Sequence, residues 1–125
     1  MSDRGARCGL VSVGSRRWSW PNRRTAVVEV KTSNSRRFVT GFFQKYRDET
    51  QEHPDFWVLY RWLGDLEQFF VLTNHQMAVA QAERNLPGEE FNWAQLTHRG
   101  IDNVLGADLQ EHLAAWHKID RWFKI

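Results

Sequence analysis

The feature that most constrains the fold is residues 25–33, Thr-Ala-Val-Val-Glu-Val-Lys-Thr-Ser, a run rich in β-branched residues. Such residues favour a strand, and successive residues of a strand face opposite sides. The even-numbered residues then share one face, and Glu29 and Lys31 lie together on the other. The segment therefore predicts a strand that presents a carboxylate and an ammonium group side by side.

Two interpretations of this acid–lysine pair follow from the residues. Glu29 and Lys31 could form a same-face ion pair on an edge strand, which would contribute about 0.2–1 kcal/mol. They could also be the centre of a functional site, since a strand that only fills a core has no use for two charged groups.

The remaining patterns predict a single α/β domain over residues 25–125, with a mixed β-sheet flanked by helices. Apolar spacings of three and four predict helices, and short β-branched and aromatic runs predict strands. Capping patterns at Thr73–Gln76 and at Asp108–Glu111 mark two helix starts. In chain order, the predictions are a strand at 25–33, a helix at 38–52, strands at 55–63 and 68–73, a helix at 74–84, a short edge strand or extended connection at 101–105, and a helix at 108–123.

The first 24 residues are predicted to form a basic arm. They show no stable period, and the arm is either irregular or a hairpin made of short strands near 10–13 and 18–20 that pairs into residues 25–33. Two of its aromatic residues, Trp18 and Trp20, could stack on bases or cover a dimer surface. Three other tryptophans are predicted to lie in the core: Trp57, Trp62 and Trp116.

The charge distribution points to a polyanionic partner, nucleic acid first. Residues 1–37 carry nine basic and two acidic residues, whereas residues 38–125 carry eight basic and thirteen acidic residues. A basic segment on an acidic body is typical of nucleic-acid contact, although an unspecific basic tail has the same composition. The candidate phosphate-binding residues come in three pairs: Arg16 and Arg17, Arg23 and Arg24, and Arg36 and Arg37.

Several function classes lack support in the sequence. The single cysteine, Cys8, allows no intrachain disulfide, and the chain has no 18-residue apolar run and no signal-peptide core. A cytoplasmic protein without membrane contact is the resulting expectation. No Ser-His-Asp set or phosphate-cradling glycine loop is present, and the histidine spacings do not suit zinc.

The succession of elements resembles the PD-(D/E)XK nuclease superfamily, with its restriction-endonuclease-like fold, over about residues 25–120. The resemblance is carried by Glu29-Val30-Lys31 and by the downstream runs at 53–59, 69–73 and 100–105. It implies that Glu29 and the carbonyl of Val30 bind Mg²⁺, and that Lys31 lies beside the metal-bound water and favours hydroxide. It also implies DNA as the substrate and phosphodiester hydrolysis as the reaction.

The chain departs from this superfamily before the acid–lysine strand. Members carry a metal-binding Asp on the preceding strand, but no acidic residue lies between Arg4 and Val28, and Asp3 is a poor substitute. The usual opening helix is not evident either. Three hypotheses therefore remain open: a Mg²⁺-dependent nuclease, a catalytically inactive nucleic-acid-binding or assembly module of the same fold, or a small α/β domain with no role in nucleic-acid binding. Because a missing helix would expose apolar sheet, a homodimer is a further expectation.

Overall fold

The computed structural model describes residues 25–42, 52–93 and 100–124, and the backbone of residues 11–19. These residues form six strands, two α-helices and one 3₁₀ helix. In chain order, they are β1 (Val11–Ser19), β2 (Thr25–Ser33), β3 (Arg37–Val39), β4 (Phe56–Leu63), β5 (Leu66–Thr73), α1 (Asn74–Asn85), β6 (Asn103–Leu105), the 3₁₀ helix (Gly106–His112) and α2 (His117–Lys124).

Four of the described strands form a mixed sheet in the order β1-β2-β4-β5. Strand β2 is antiparallel to β1 and parallel to β4, and β4 is antiparallel to β5. The predicted mixed α/β class is confirmed. Glu29 and Lys31 form the expected same-face ion pair, but β2 is an interior strand, so the expectation that this pair lies on an edge strand is wrong. Residues 11–19 form one strand rather than the two short strands predicted near 10–13 and 18–20.

The sheet is covered on both faces by apolar side chains. One face of β4 and β5 packs against α1, β3 and β6. The buried side chains of this cluster are Trp57, Leu59, Phe70 and Leu72 from the sheet, Met77 and Ala78 from α1, Phe38 from β3 and Val104 from β6. On the other face, the sheet packs against α2 through Val28, Val58, Val71, Ile119 and Phe123. Trp57 is fully buried as predicted, but Trp116 is 42% exposed and only flanks Phe69 at the surface. The prediction of Trp116 as a core residue is wrong.

The predicted helix at 38–52 does not begin where the apolar spacing placed it. Arg37–Val39 is the strand β3, which pairs with β6 through Phe38 and Val104. Its alternation of exposed and buried residues has a period of two, and Gly41 at a φ of 68° interrupts any helix that starts at residue 38. Phe42 is helical, and residues 43–51 of the prediction lie outside the described residues.

The β4–β5 hairpin and the start of α1 are confirmed. The hairpin turn consists of Gly64, at a φ of 62°, and Asp65, so β5 begins two residues earlier than predicted. At the start of α1, the Gln76 backbone N–H donates to Thr73 Oγ1 over 3.1 Å. The Thr73 backbone N–H donates in return to Gln76 Oε1 over 2.9 Å. This reciprocal capping box satisfies two backbone donors and fixes where the helix begins.

The predicted closing helix at 108–123 is wrong as a single helix. A 3₁₀ helix ends at His112, and Ala114 takes a φ of 50° before α2 begins. The Ala114 backbone N–H donates to the Phe69 carbonyl over 2.7 Å, which draws this segment onto the edge of β5. The Asp108–Glu111 cap does not form, since the 3₁₀ helix follows Leu105 without a side-chain cap. Among the described helices, none has the length and apolar composition that would span a membrane.

A half-buried lysine connects α2 to the rest of the domain. Lys118 Nζ lies 2.8 Å from the Val71 carbonyl, from Gln76 Oε1 and from His112 Nδ1. Burial lowers the pKa of His112, and the neighbouring Lys118 ammonium lowers it further, although Glu111 opposes them. His112 is therefore held neutral and accepts a hydrogen bond from Lys118.

This arrangement predicts a loss of stability in mild acid. Because the pKa of His112 is lower in the folded state, the unfolded chain binds the proton more readily, so stability is complete above about pH 6.5 and falls below it. Thermal unfolding at pH 7.5 and pH 5.5 measures the change. The variant His112→Gln, which retains an acceptor, should show a smaller loss, whereas the exposed-site control His117→Gln should behave as the wild type. Equal losses in all three proteins would contradict the role of His112.

Candidate functional site

Strand β2 places Glu29 and Lys31 on the sheet face that packs against α1. In the parallel register with β4, Glu29 lies beside Trp57 and Lys31 beside Leu59. The Lys31 Nζ and Glu29 Oε2 atoms are 3.5 Å apart. The two side chains therefore lie together on one face, as the alternation in the sequence predicts.

Both members of this acid–lysine pair are buried. Glu29 is 1% exposed and Lys31 is 6% exposed. Removing two charges from water costs several kcal/mol per ion, and their mutual attraction offsets that cost only where the contact is close and further hydrogen bonds are made. The stabilisation of about 0.2–1 kcal/mol that a solvent-exposed ion pair provides therefore does not apply to Glu29 and Lys31. The contact between the two groups is one of the interactions that offset this desolvation cost.

The described residues do not include a complete ligand set for the Mg²⁺ ion expected at Glu29. No group of three Asp, Glu, His or Cys residues that could hold a metal occurs within the described ranges. The carbonyl of Val30 belongs to an interior strand and points within the plane of the sheet, since ladder carbonyls are directed at neighbouring strands. Hard divalent cations require several oxygen ligands, and the described residues alone do not bring such a set together at Glu29.

Asp55, the acidic residue at the start of β4, has a structural role. Its Oδ2 atom accepts a hydrogen bond from the Val27 backbone N–H over 2.8 Å, and its own N–H donates to the Val27 carbonyl over 2.8 Å. This two-point contact sets the register between β2 and β4, upstream of the acid–lysine pair. In the sequence, Asp55 could be recognised only as the start of a strand, because it follows Pro54.

The structure separates the predicted phosphate-binding arginines. Arg36 lies in the turn after β2 and Arg37 begins β3. Both are exposed, and neither guanidinium forms an ion pair with another described residue. Arg16 and Arg17 belong to β1 and pair in register with Val28 and Val27, near the opposite end of β2. Five residues of strand separate Val28 from Ser33, which is roughly 17 Å. Arg23 and Arg24 lie outside the described residues.

The turn that carries Arg36 and Arg37 is ordered by serine side chains. Ser33 Oγ donates to the Arg37 carbonyl over 2.8 Å and accepts from the Ser35 backbone N–H over 3.0 Å. Ser35 Oγ in turn accepts from the Arg37 N–H over 3.3 Å. These local bonds hold the backbone in a fixed turn, so the two arginines are presented at the carboxyl end of β2.

Sequence reasoning missed two further polar residues on this side of the sheet. Arg61, near the end of β4, is 8% exposed, and Gln81 on α1 is fully buried. Both occur in segments whose apolar pattern dominates the sequence, and a lone polar residue in such a run gives no signal of its own.

Comparisons of the chain with protein-family models, with curated proteins and with solved structures found no match.

Proposed function

We propose that this protein is a nuclease-like protein that binds DNA through the carboxyl end of β2, without cleaving it. The observation that carries the proposal is the ordered turn with Arg36 and Arg37, two exposed cations that no described acid neutralises. Exposed guanidinium groups bind phosphate oxygens in a bidentate manner. Lys31 lies on the strand that leads into this turn.

The strand arrangement supports a nuclease-like sheet. Strand β2 carries Glu29-Val30-Lys31 between an antiparallel neighbour, β1, and a parallel neighbour, β4. A parallel pair requires a crossover connection, and the chain supplies residues 34–55 for it. The resemblance implies an acid–lysine strand in a mixed sheet, preceded by another strand, and the order of β1 and β2 agrees with it.

Binding without cleavage is favoured by the state of the acid–lysine pair. Glu29 already has the Lys31 ammonium group 3.5 Å away and is 1% exposed. A metal ion at Glu29 would compete with that ammonium group, and the described residues contain no group of three possible metal ligands.

Mg²⁺-dependent phosphodiester hydrolysis is the second candidate function, and the same-face placement of Glu29 and Lys31 favours it. Nucleases of the resembled superfamily have an additional Asp on the preceding strand. In this chain, Ser15 of β1 is in register with Glu29, and directly opposite residues of an antiparallel pair have Cβ atoms about 4.5–5.5 Å apart. Position 15 is thus where a second carboxylate would complete the site.

The DNA-binding proposal predicts a salt-dependent affinity. Fluorescence anisotropy with a labelled duplex should show log K falling linearly with log salt concentration, because phosphate contacts release counterions. The variant Arg36→Gln/Arg37→Gln should weaken binding and reduce the salt slope by about two. The matched control Arg121→Gln/Lys124→Gln removes two exposed cations from α2 and should bind as the wild type. Absent or salt-independent binding would contradict the proposal.

Metal titrations distinguish the two candidate functions. For the wild type, calorimetry with Mn²⁺ should show no uptake at Glu29, and a plasmid should stay intact in the presence of Mg²⁺. The variant Ser15→Asp should gain Mn²⁺ binding that is lost again in Ser15→Asp/Glu29→Gln. If the wild type binds Mn²⁺ and cleaves the plasmid, and Glu29→Gln abolishes both activities, hydrolysis is the function instead.

The homodimer remains a prediction, and sedimentation equilibrium of the wild type tests it.

A further inference from the structure

Arg61 is a buried arginine whose charge no described acid neutralises. Its Nε–H donates to Gln68 Oε1 over 2.8 Å, and its Cζ atom lies 5.4 Å from the centroid of the Phe70 ring. Burial lowers the pKa of Arg61, but an arginine remains protonated in proteins. Taking a cation out of water without a counter-charge costs free energy, so an arginine at this position is unfavourable for stability alone.

A glycine makes room for the Arg61 guanidinium. A Cβ atom at Gly106 would lie 2.3 Å from Nη1 and 2.6 Å from Cζ of Arg61, which is closer than any real contact. The guanidinium therefore occupies the space that a side chain at position 106 would need. The Gly106 N–H donates to the Arg36 carbonyl over 3.0 Å. Arg61 consequently ends beside the turn that presents Arg36 and Arg37.

The Nη groups of Arg61 are left for a ligand. Gln68 uses only the Nε–H, and no other hydrogen bond of Arg61 occurs within the described residues. No fully buried side-chain nitrogen of the described residues lacks a partner, so the Nη groups reach solvent. Stacking on Phe70 and the bond to Gln68 fix the plane of the guanidinium. A guanidinium held in one plane, whose Nη donors bond to no other described residue, has the geometry that binds phosphate oxygens.

We propose that Arg61 forms a phosphate-binding subsite for the nucleic-acid backbone, with Arg36 and Arg37 at its rim. Arg61 lies on the same sheet face as Lys31, because Lys31 is in register with Leu59, two residues before Arg61. Two residues along a strand and one strand across amount to about 8 Å between the two Cα atoms. The subsite extends the DNA surface of the proposed function, on which this inference rests, from the exposed turn into the sheet.

Two variants test the subsite without depending on each other. Arg61→Met removes the cation, whereas Gly106→Ala retains it but pushes the guanidinium away from its present place. Both should weaken DNA binding about tenfold at low salt, which corresponds to the loss of one charge-assisted hydrogen-bonding group. Arg61→Met should also reduce the salt slope by about one. The matched control is Arg84→Met, since Arg84 Nε donates to an amide oxygen of Asn103 over 3.0 Å in a similar way. Its affinity should stay within about twofold of the wild type, in line with a cation that makes no phosphate contact.

A titration with inorganic phosphate, followed by NMR of the arginine Nε–Hε signals, makes the result independent of DNA. The signal of Arg61 should shift in the wild type and should not shift in Gly106→Ala. If the wild type binds no DNA but phosphate shifts this signal, the proposed function fails and the subsite stands.

If phosphate leaves the Arg61 signal unchanged and both variants bind DNA as the wild type does, the subsite is overturned while DNA binding stands. A loss of DNA affinity in Arg61→Met together with wild-type affinity in Gly106→Ala also overturns it, because Arg61 would then act only through packing on Phe70. If neither DNA nor phosphate binds, both proposals are wrong.

Discussion

Replacing Lys31 with methionine is expected to lower the free energy of unfolding by about 3–5 kcal/mol. The Glu29 carboxylate is 1% exposed and would lose the cation that lies 3.5 Å from it. A buried carboxylate that loses its counter-charge keeps its full desolvation cost. Urea unfolding of Lys31→Met and the wild type at pH 7 measures the difference.

The double variant Glu29→Met/Lys31→Met separates the cost of a buried charge from the cost of lost packing. Replacing both members of a buried pair with apolar residues is often neutral or stabilising, so the double variant should be considerably more stable than Lys31→Met. The exposed pair of Lys124 and Asp120, at 2.9 Å and four residues apart on α2, is the control. Lys124→Met should cost about 0.5 kcal/mol or less. A similarly small cost for Lys31→Met would show that the acid–lysine pair is not closed in solution.

Replacing Gln81 with leucine is expected to lower the free energy of unfolding by about 3 kcal/mol, since up to three buried or partly buried polar groups would lose a partner, each at about 1–3 kcal/mol. Gln81 is fully buried on α1. Its Nε2 group donates to the Ile101 carbonyl over 2.6 Å and to the Asn103 carbonyl over 3.1 Å. Its Oε1 atom accepts from Thr40 Oγ1 over 2.7 Å. One amide thereby joins α1 to β6 and to Thr40, the residue that follows β3.

The same substitution at Gln110 provides a matched control for Gln81→Leu. Gln110 is exposed and makes one side-chain bond, to the Gly106 carbonyl over 3.1 Å. Gln110→Leu should therefore change the free energy of unfolding by less than about 1 kcal/mol. Denaturant titrations of both variants measure the two effects. Equal effects at the two positions would contradict the role of Gln81 as the link between α1 and the β3–β6 sheet.

The parts of the fold that the sequence predicts well are those with local causes. The strand at residues 25–33 follows from β-branched alternation, the hairpin from Gly64 and its flanking apolar runs, and the start of α1 from Thr73 and Gln76. Each depends on residues within a few positions of one another. The placement of Glu29 and Lys31 on one face was predictable for the same reason.

The parts that the sequence does not predict depend on distant contacts. The helix pattern at 108–123 breaks because Ala114 bonds to Phe69, some 45 residues earlier in the chain. Phe38 becomes a strand residue because β6, far along the sequence, pairs with it. The burial of the acid–lysine pair and the setting of Arg61 likewise require the register between β2 and β4. Periodicity carries no information on such pairings.

The bond from Ala114 to Phe69 has a consequence for self-association. Strand β5 is the last strand of the four-stranded sheet, and an open sheet edge offers unsatisfied backbone groups to any other extended chain. The Ala114 N–H and the bridge between Phe70 and Leu113 occupy part of that edge. The segment around Ala114 thus covers part of the β5 edge and hinders another strand from pairing there. A substitution that releases residues 113–114 from β5 should therefore promote aggregation before it unfolds the domain.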